Sequence, residues 1–236
     1  YDNLRKFDNS ITPKEIKNIS KEMWGNYGRI LSEYPFISKF RKGNLDKYIK
    51  IENKNKLEEI KKDQPVVFIS AHFSNFELMA MVIEKAGVNL SAIYRPLNNR
   101  MVNSIMEPLR KKYICKNQIK KGINGVRDSI EFIKKKHSIA LMIDQRVSEG
   151  EMVDFFSKPA LTTTLPAQLA MKYDLAIIPV FIERTIDNKF KINFLEKIMP
   201  NNFKSKLDLT IKLNQILEKM IKNNPNQWIW THNRWK

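Results

Sequence analysis

The chain has 236 residues, 42% hydrophobic and 28% charged, with a formal net charge of +17 and one cysteine. Such a composition supplies one substantial core rather than a disordered chain, and a lone cysteine cannot close an internal disulfide. No stretch approaches the roughly 18 to 20 apolar residues that span a bilayer, the densest run being Leu175 to Ile182. The positive balance points to phosphates, acidic proteins or an anionic membrane surface as partners. Lys greatly outnumbers Arg, so part of that charge reads as background bias, and Lys111-Lys112, Lys120-Lys121 and Lys134-Lys135-Lys136 read equally as solvated helix faces. Cys115 reads as a packing residue. The chain begins at Tyr1, so a targeting or anchoring segment upstream of residue 1 stays open.

The first forty residues read as helical. Thr12 before Pro13 is an N-cap signal, and Ile16, Ile19, Met23 and Tyr27 form a stripe at helical spacing. A second helical piece from Arg29 to Phe40 would turn Leu31, Tyr34 and Phe36 inward. Residues 1–45 are therefore expected to be a helical cover on a single domain that spans 1–236. From Tyr48 onward strand and helix patterns alternate, which predicts an α/β fold with a central, mostly parallel mixed sheet flanked by helices. The expected strands are Tyr48 to Ile51, Val66 to Ser70, Leu90 to Tyr94, Ile139 to Ile143, Ile177 to Ile182 and Phe190 to Leu195. Helices are expected over Leu57 to Lys62, Phe76 to Ala86, Val102 to Lys112, Asn124 to Lys136, Thr164 to Tyr173 and Lys206 to Lys222. No internal repeat or linker divides the chain.

Directly after the run Val66-Val67-Phe68-Ile69-Ser70 stands Ala71-His72-Phe73-Ser74-Asn75-Phe76-Glu77, with a histidine and a carboxylate five residues apart. An imidazole that takes a proton from an attacking hydroxyl works best when a carboxylate holds its tautomer and stabilises the imidazolium, so this pair suggests acyl transfer. The spacing is wrong for one helix face, which needs three or four residues. It puts His72 on the strand-to-helix turn and Glu77 one turn inside the helix, with Ser74 or Asn75 as N-cap. Ligand crevices of α/β sheets lie at the carboxyl ends of the strands. His72, Arg95 and the group Asp144-Gln145-Arg146 each follow an expected strand, and should share that rim. Asp144 and Gln145 read as shaping the site or capping the next loop, with an Asp144–Arg146 ion pair as the alternative. Arg95 suits a phosphate or a structural salt bridge. Thr162-Thr163-Thr164 offers hydroxyls before a helix, for an anion or for simple capping. Phe155-Phe156 suits either an acyl groove or the core, and Trp228 and Trp230 read as core packing.

In order, these segments resemble the bacterial late acyltransferases of lipid A biosynthesis, more distant kin of the glycerolipid acyltransferases. The likeness runs through Ser70 to Glu77, Ile93 to Asn99, Leu141 to Arg146, Asp154 to Thr162, Pro166 to Ala170, Ile178 to Val180 and the tail Gln227 to Lys236. The resemblance implies a glycerolipid acyltransferase-like fold and transfer of a fatty acyl chain from acyl carrier protein to a hydroxyl of a glycolipid acceptor, a lipid A precursor. It places the reaction at the cytoplasmic face of the inner membrane, with the protein peripheral or anchored through a segment absent from this chain, and implies neither metal nor cofactor. Carried over residue by residue, His72 would be the base and Glu77 its orienting carboxylate. Arg110, with Arg95 as the alternative, would meet the oxyanion. Asn75, Arg95, Asp144, Gln145, Arg146 and Thr162 would bind substrate. Ser157 and Lys158 stand where relatives commonly carry a glycine, and Leu165 where a small residue is usual, departures expected to reshape the acyl pocket. Rival readings are an acyltransferase acting on another glycolipid or on glycerol phosphate, a basic nucleic-acid-binding domain, and a non-catalytic lipid-binding relative, against which the intact His72 and Glu77 argue. The nucleic-acid reading leaves the His72 motif unexplained, so no specific nucleic-acid partner is expected.

Overall fold

The computed structural model describes residues 2–60 and 64–235. In chain order, the helices α1 (Asp2–Phe7), α2 (Pro13–Glu33) and α3 (Ile37–Arg41) precede β1 (Ile49–Glu52) and α4 (Lys54–Glu58). The next units are β2 (Val67–Ser70), α5 (Glu77–Lys85), β3 (Leu90–Tyr94), α6 (Arg100–Leu109), β4 (Asn117–Lys120), α7 (Ile123–Lys134) and β5 (Ser138–Met142). A hairpin of β6 (Glu151–Phe155) and β7 (Lys158–Thr162) leads to α8 (Leu165–Tyr173), β8 (Ile177–Arg184), β9 (Phe190–Phe194) and α9 (Lys206–Asn223).

Seven strands form one sheet in the order β1-β9-β8-β2-β5-β3-β4. Every neighbour in it is parallel except β8 and β9, as the alternating pattern predicts. β2 is buried along its whole length, the condition in which a strand reads as a continuous apolar run rather than an alternation. All six expected strands are present. β4 and the β6–β7 hairpin are additions, and both escaped for local reasons. Asn117-Gln118-Ile119-Lys120 carries one buried apolar residue. The hairpin turns through Phe156 and Ser157, both in the left-handed region at φ 53 and 55. A two-residue turn of that kind normally announces itself as Asn-Gly or Asp-Gly. Burial offsets the strain: Phe156 packs edge-on against Phe7 and Phe155 at 4.9 and 4.8 Å between centroids. Ser157 and Lys158 thus lie at a hairpin tip, where Lys158 Nζ bonds the carbonyl of Lys6 at 2.7 Å.

The N-terminal helices pack into the same core as the sheet through Leu4, Ile16, Met23, Ile37 and Phe40. α2 begins in a capping box, with Thr12 Oγ1 accepting from Glu15 N and Glu15 Oε2 accepting from Thr12 N. Its buried stripe is Ile16, Met23, Asn26 and Ile30, one phase away from expectation. Tyr27, Leu31 and Phe36 face out and Tyr34 is only half-buried. The cause is that the helix runs unbroken to Glu33, so its 3.6-residue period selects Ile30 rather than Leu31. Of the helix expected over Leu57 to Lys62, Leu57 and Glu58 close α4, while Lys61 and Lys62 lie outside the described residues.

α6 contains Pro108, which has no N–H to offer the preceding turn, and the chain widens into a π turn over Arg110–Ile114. That turn points Arg110 inward. A cavity of about 820 Å³ opens at the amino ends of the strands, between Val66, Ala176 and Ile178, at the far end of β2 from His72.

Candidate active site

Strand register builds the site. β2 and β5 are parallel neighbours with Ser70 opposite Met142, and Ile143 N bonds Ser70 O at 3.0 Å. The residues two beyond that pair are His72 and Asp144, so both leave the sheet at one point on its carboxyl rim. Asp144 Oδ1 lies 2.8 Å from His72 Nδ1, and its Oδ2 accepts from His72 N at 3.0 Å and from Trp228 Nε1 at 2.8 Å. A carboxylate can only accept here, so Nδ1 carries the proton and Nε2 is the basic nitrogen. Among the described residues nothing hydrogen-bonds Nε2.

The Asp144 side chain is 2% exposed and that of His72 20%. Burial works against charge on the imidazole, but the field and hydrogen bond of Asp144, with help from Glu77, outweigh it and raise the His72 pKa. Burial likewise opposes charge on Asp144, and the imidazole together with the N–H donors of His72 and Trp228 holds its pKa below the usual carboxylate value. The pair thus holds one imidazole tautomer with a buried carboxylate, an arrangement able to serve acid–base chemistry.

The hydrogen-bonding partner of His72 is therefore Asp144 and not the expected Glu77, whose field still acts on the imidazole. Glu77 is not hydrogen-bonded to His72. It is the first residue of α5 rather than a turn inside, because the reversal at Ser74 (φ 44) delays the helix and leaves Phe76, without a side-chain bond, at the cap position. Its Oε1 instead accepts from Arg110 Nε at 2.8 Å, Arg110 Nη2 at 2.5 Å and the Tyr34 hydroxyl at 2.5 Å. Arg110 and Glu77 are 11% and 9% exposed as side chains, so the guanidinium expected at the oxyanion is neutralised by a buried carboxylate. Burial opposes the Arg110 charge, yet the pair raises its pKa. The pair ties the π turn, α5 and the start of the α2–α3 connection together beside His72.

The remaining candidates divide. Asp144, Gln145 and Arg146 do share the rim with His72; no Asp144–Arg146 ion pair forms. Gln145 is half-buried without a side-chain bond among the described residues. Arg146 donates its backbone N–H to His232 Nε2 at 2.9 Å and keeps a buried Nε with no partner. Arg95 is exposed, and among the described residues its guanidinium meets no carboxylate. Asn75 is buried and its Nδ2 bonds Glu33 Oε2 at 2.8 Å, in turn paired with Arg184 at 2.7 Å. Its Nδ2 ties the turn that bears His72 to α2, while its buried Oδ1 has no partner among the described residues. Thr162 is fully buried, with Oγ1 bonded to Ala160 O and accepting from Arg234 Nη2 at 2.6 Å, so no face of it is open to substrate. Phe155 and Phe156 are core residues, as are Trp228 and Trp230. Trp228 as a partner of Asp144 went unseen, as did Tyr34 on Glu77. The signal for the His72–Asp144 pair was in the chain: two buried strands each followed at the same interval by a polar residue become neighbours if the strands do.

Among the described residues no three His, Cys, Asp or Glu side chains gather as a metal site.

Comparison with known proteins bears on the fold and the family. A solved 1-acyl-sn-glycerophosphate acyltransferase from Thermotoga maritima shares the fold, with a TM-score of 0.51 over 83% of this chain and 81% of that one, at 17% identity. The lipid A biosynthesis palmitoleoyltransferase of Escherichia coli is 22% identical over 227 residues, which cover 94% of this chain and 73% of the relative. A lipid A biosynthesis acyltransferase of Haemophilus influenzae is 23% identical over 197 residues, covering 81% of this chain and 62% of the relative. The model of the bacterial lipid A biosynthesis acyltransferases matches residues 8–236. The chain belongs to the bacterial lipid A biosynthesis acyltransferase family.

Proposed function

We propose that this protein transfers a fatty acyl chain from acyl carrier protein to a hydroxyl of a lipid A precursor at the cytoplasmic face of the inner membrane, with His72 as the base. The observation that carries the reading is the buried Asp144 on His72 Nδ1, which leaves Nε2 to accept a proton. The acceptor hydroxyl gives its proton to Nε2 as its oxygen attacks the thioester carbonyl. The tetrahedral oxyanion then collapses, the C–S bond breaks, and the imidazolium returns the proton to the leaving thiolate. Asp144 holds the ring and compensates its transient charge, and the field of Glu77 adds to it. Arg95, with no carboxylate partner among the described residues, is the cation available to the oxyanion or to an acceptor phosphate. Gln145 and Arg146 line the approach to the same rim.

The net charge of +17 suits an acidic carrier and a phosphorylated acceptor in an anionic bilayer. Exposed apolar residues stand on two helices, Trp24 and Leu31 on α2 and Met101, Val102 and Ile105 on α6, a composition that suits contact with lipid. No described helix is long and apolar enough to cross a membrane. The test is transfer of radiolabel from acyl carrier protein charged with C10 to C16 chains to a tetra-acylated lipid A precursor. Label should reach the lipid with the native chain and fall by orders of magnitude with His72→Ala. Near-native transfer by that variant would remove the base assignment, and inactivity of a folded native chain would redirect the search to other glycolipid or glycerol phosphate acceptors.

A further inference from the structure

The segment after α9 closes over the back of the catalytic turn. Ser74 N bonds Gln227 O at 3.1 Å and Ile229 N bonds His72 O at 3.2 Å, so Phe73 and Trp228 face each other in an antiparallel bridge. The backbone of His72 is thereby held from the side opposite β5. The segment is itself anchored. Asn3 Nδ2 bonds the carbonyls of Trp230 and His232 at 2.7 and 2.8 Å. The Arg234 guanidinium lies 4.7 Å above the Phe155 ring and bonds Leu161 O at 2.7 Å.

From this arm the Trp228 indole, 2% exposed, reaches Asp144 Oδ2 at 2.8 Å, packed at 4.5 Å and 81° against Trp230. A buried tryptophan needs an acceptor for its N–H, yet the one chosen is the carboxylate of the acid–base pair. A donor there does two things. It stops Asp144 rotating, so that Oδ1 stays on His72 Nδ1, and it draws charge away from the oxygen pair, which weakens the carboxylate's hold on an imidazolium.

We propose that Trp228 is a positioning residue for the base: its indole N–H pins Asp144 and tempers its charge, so that the imidazole both takes a proton and lets it go. This rests on His72 being the base. The charged and titratable groups that also act on the pair are Glu77 from α5, Lys121 after β4, and His232 and Arg234 from the arm itself. Trp228→Phe leaves all of these groups in the chain and removes the indole N–H together with part of the buried ring.

The experiment compares Trp228→Phe with Trp235→Phe, which deletes the indole that bonds Phe155 O. His72 is titrated by its imidazole ¹⁵N resonances, assigned by their loss in His72→Gln, and radiolabel transfer is followed from pH 5.5 to 9. With Trp228→Phe the imidazole midpoint should move up by about 0.5 to 1 pH unit, the acid limb of transfer moving with it. At neutral pH kcat should fall about 5- to 10-fold with KM within about twofold. Trp235→Phe should leave the midpoint where it is. In the native protein, where refolding is not at issue, the Trp228 indole ¹⁵N resonance should titrate with the His72 midpoint. An indole resonance indifferent to His72, or a midpoint unmoved in folded Trp228→Phe, overturns the proposal. Full transfer by His72→Gln would instead overturn the base assignment, which the indole titration does not measure.

Discussion

Replacing Asp144 by Asn removes one charge and no volume, and the geometry dictates which way the amide must sit. Oδ2 of Asp144 accepts from His72 N at 3.0 Å and Trp228 Nε1 at 2.8 Å and lies 3.1 Å from His72 Nδ1, whereas Oδ1 meets only His72 Nδ1, at 2.8 Å. Two donors select the amide oxygen for the Oδ2 position, which leaves the NH₂ group against Nδ1. With the NH₂ group at 2.8 Å and the amide oxygen at 3.1 Å from Nδ1, the closer contact favours the imidazole as an acceptor at Nδ1, with its proton on Nε2, the tautomer that cannot take a proton from a hydroxyl. Loss of the correct tautomer and of the compensating charge in a His–carboxylate unit costs about 10³- to 10⁴-fold in turnover, or about 4 to 5.5 kcal/mol of barrier. Because both donors at the Oδ2 position keep an acceptor, Asp144→Asn should still fold, with its thermal transition lowered at neutral pH by the loss of the ionised Asp144 contribution. Radiolabel transfer under saturating acceptor, with circular dichroism melts on the same samples, gives both numbers. Turnover within about tenfold of native in a folded Asp144→Asn would refute the tautomer argument, and with it the assignment of Asp144 as the partner that makes His72 a base.

Arg110→Ala strands the Glu77 carboxylate in a site where it is 9% exposed, and should cost about 3 to 5 kcal/mol in urea denaturation; a loss under about 1 kcal/mol would mean the pair is not a buried tie. With His72 as the proposed base, which must be neutral to act and whose pKa is raised above 6.5, kcat/KM should fall on acidification with a midpoint above pH 6.5, and an acid limb centred below 6.5 would contradict the ion pair. The stability linked to the same pair runs by the signs of its shifts. The His72 contribution is complete below about pH 6.5 and is lost as pH rises through the folded midpoint. The Asp144 contribution is present above about 3.8 and fades as pH falls through its depressed value. Melts of native and His72→Gln should thus differ most between those limits. Ser157→Gly relieves a left-handed residue at φ 55 and should raise stability by roughly 0.5 to 1 kcal/mol, the left-handed strain of about 1 to 2 less the added freedom of glycine, read from the shift in urea midpoint; no gain would show that the turn is already relaxed.

The chain alone determined the class of fold. Apolar runs of four to six residues alternating with amphipathic stretches have few ways to be buried other than strands between helices, and the Thr12-Pro13 start of α2 followed from the same local rules. The order of motifs carried the family. Periodicity also placed His72 on the carboxyl rim of a buried strand, because the last buried residue and the first turn residue can be read along one line of sequence. What tertiary structure decided was partnership. Glu77 is near His72 in the chain, but a reversal at Ser74 and the π turn after Pro108 give its carboxylate to Arg110 and Tyr34. Asp144, 72 residues away, reaches the imidazole because β2 and β5 are neighbours in register, and strand order is a property of the whole sheet that no local pattern encodes. The same holds for Trp228, whose indole reads as core from its own surroundings and becomes part of the site only when the chain's end folds back across the turn that bears His72.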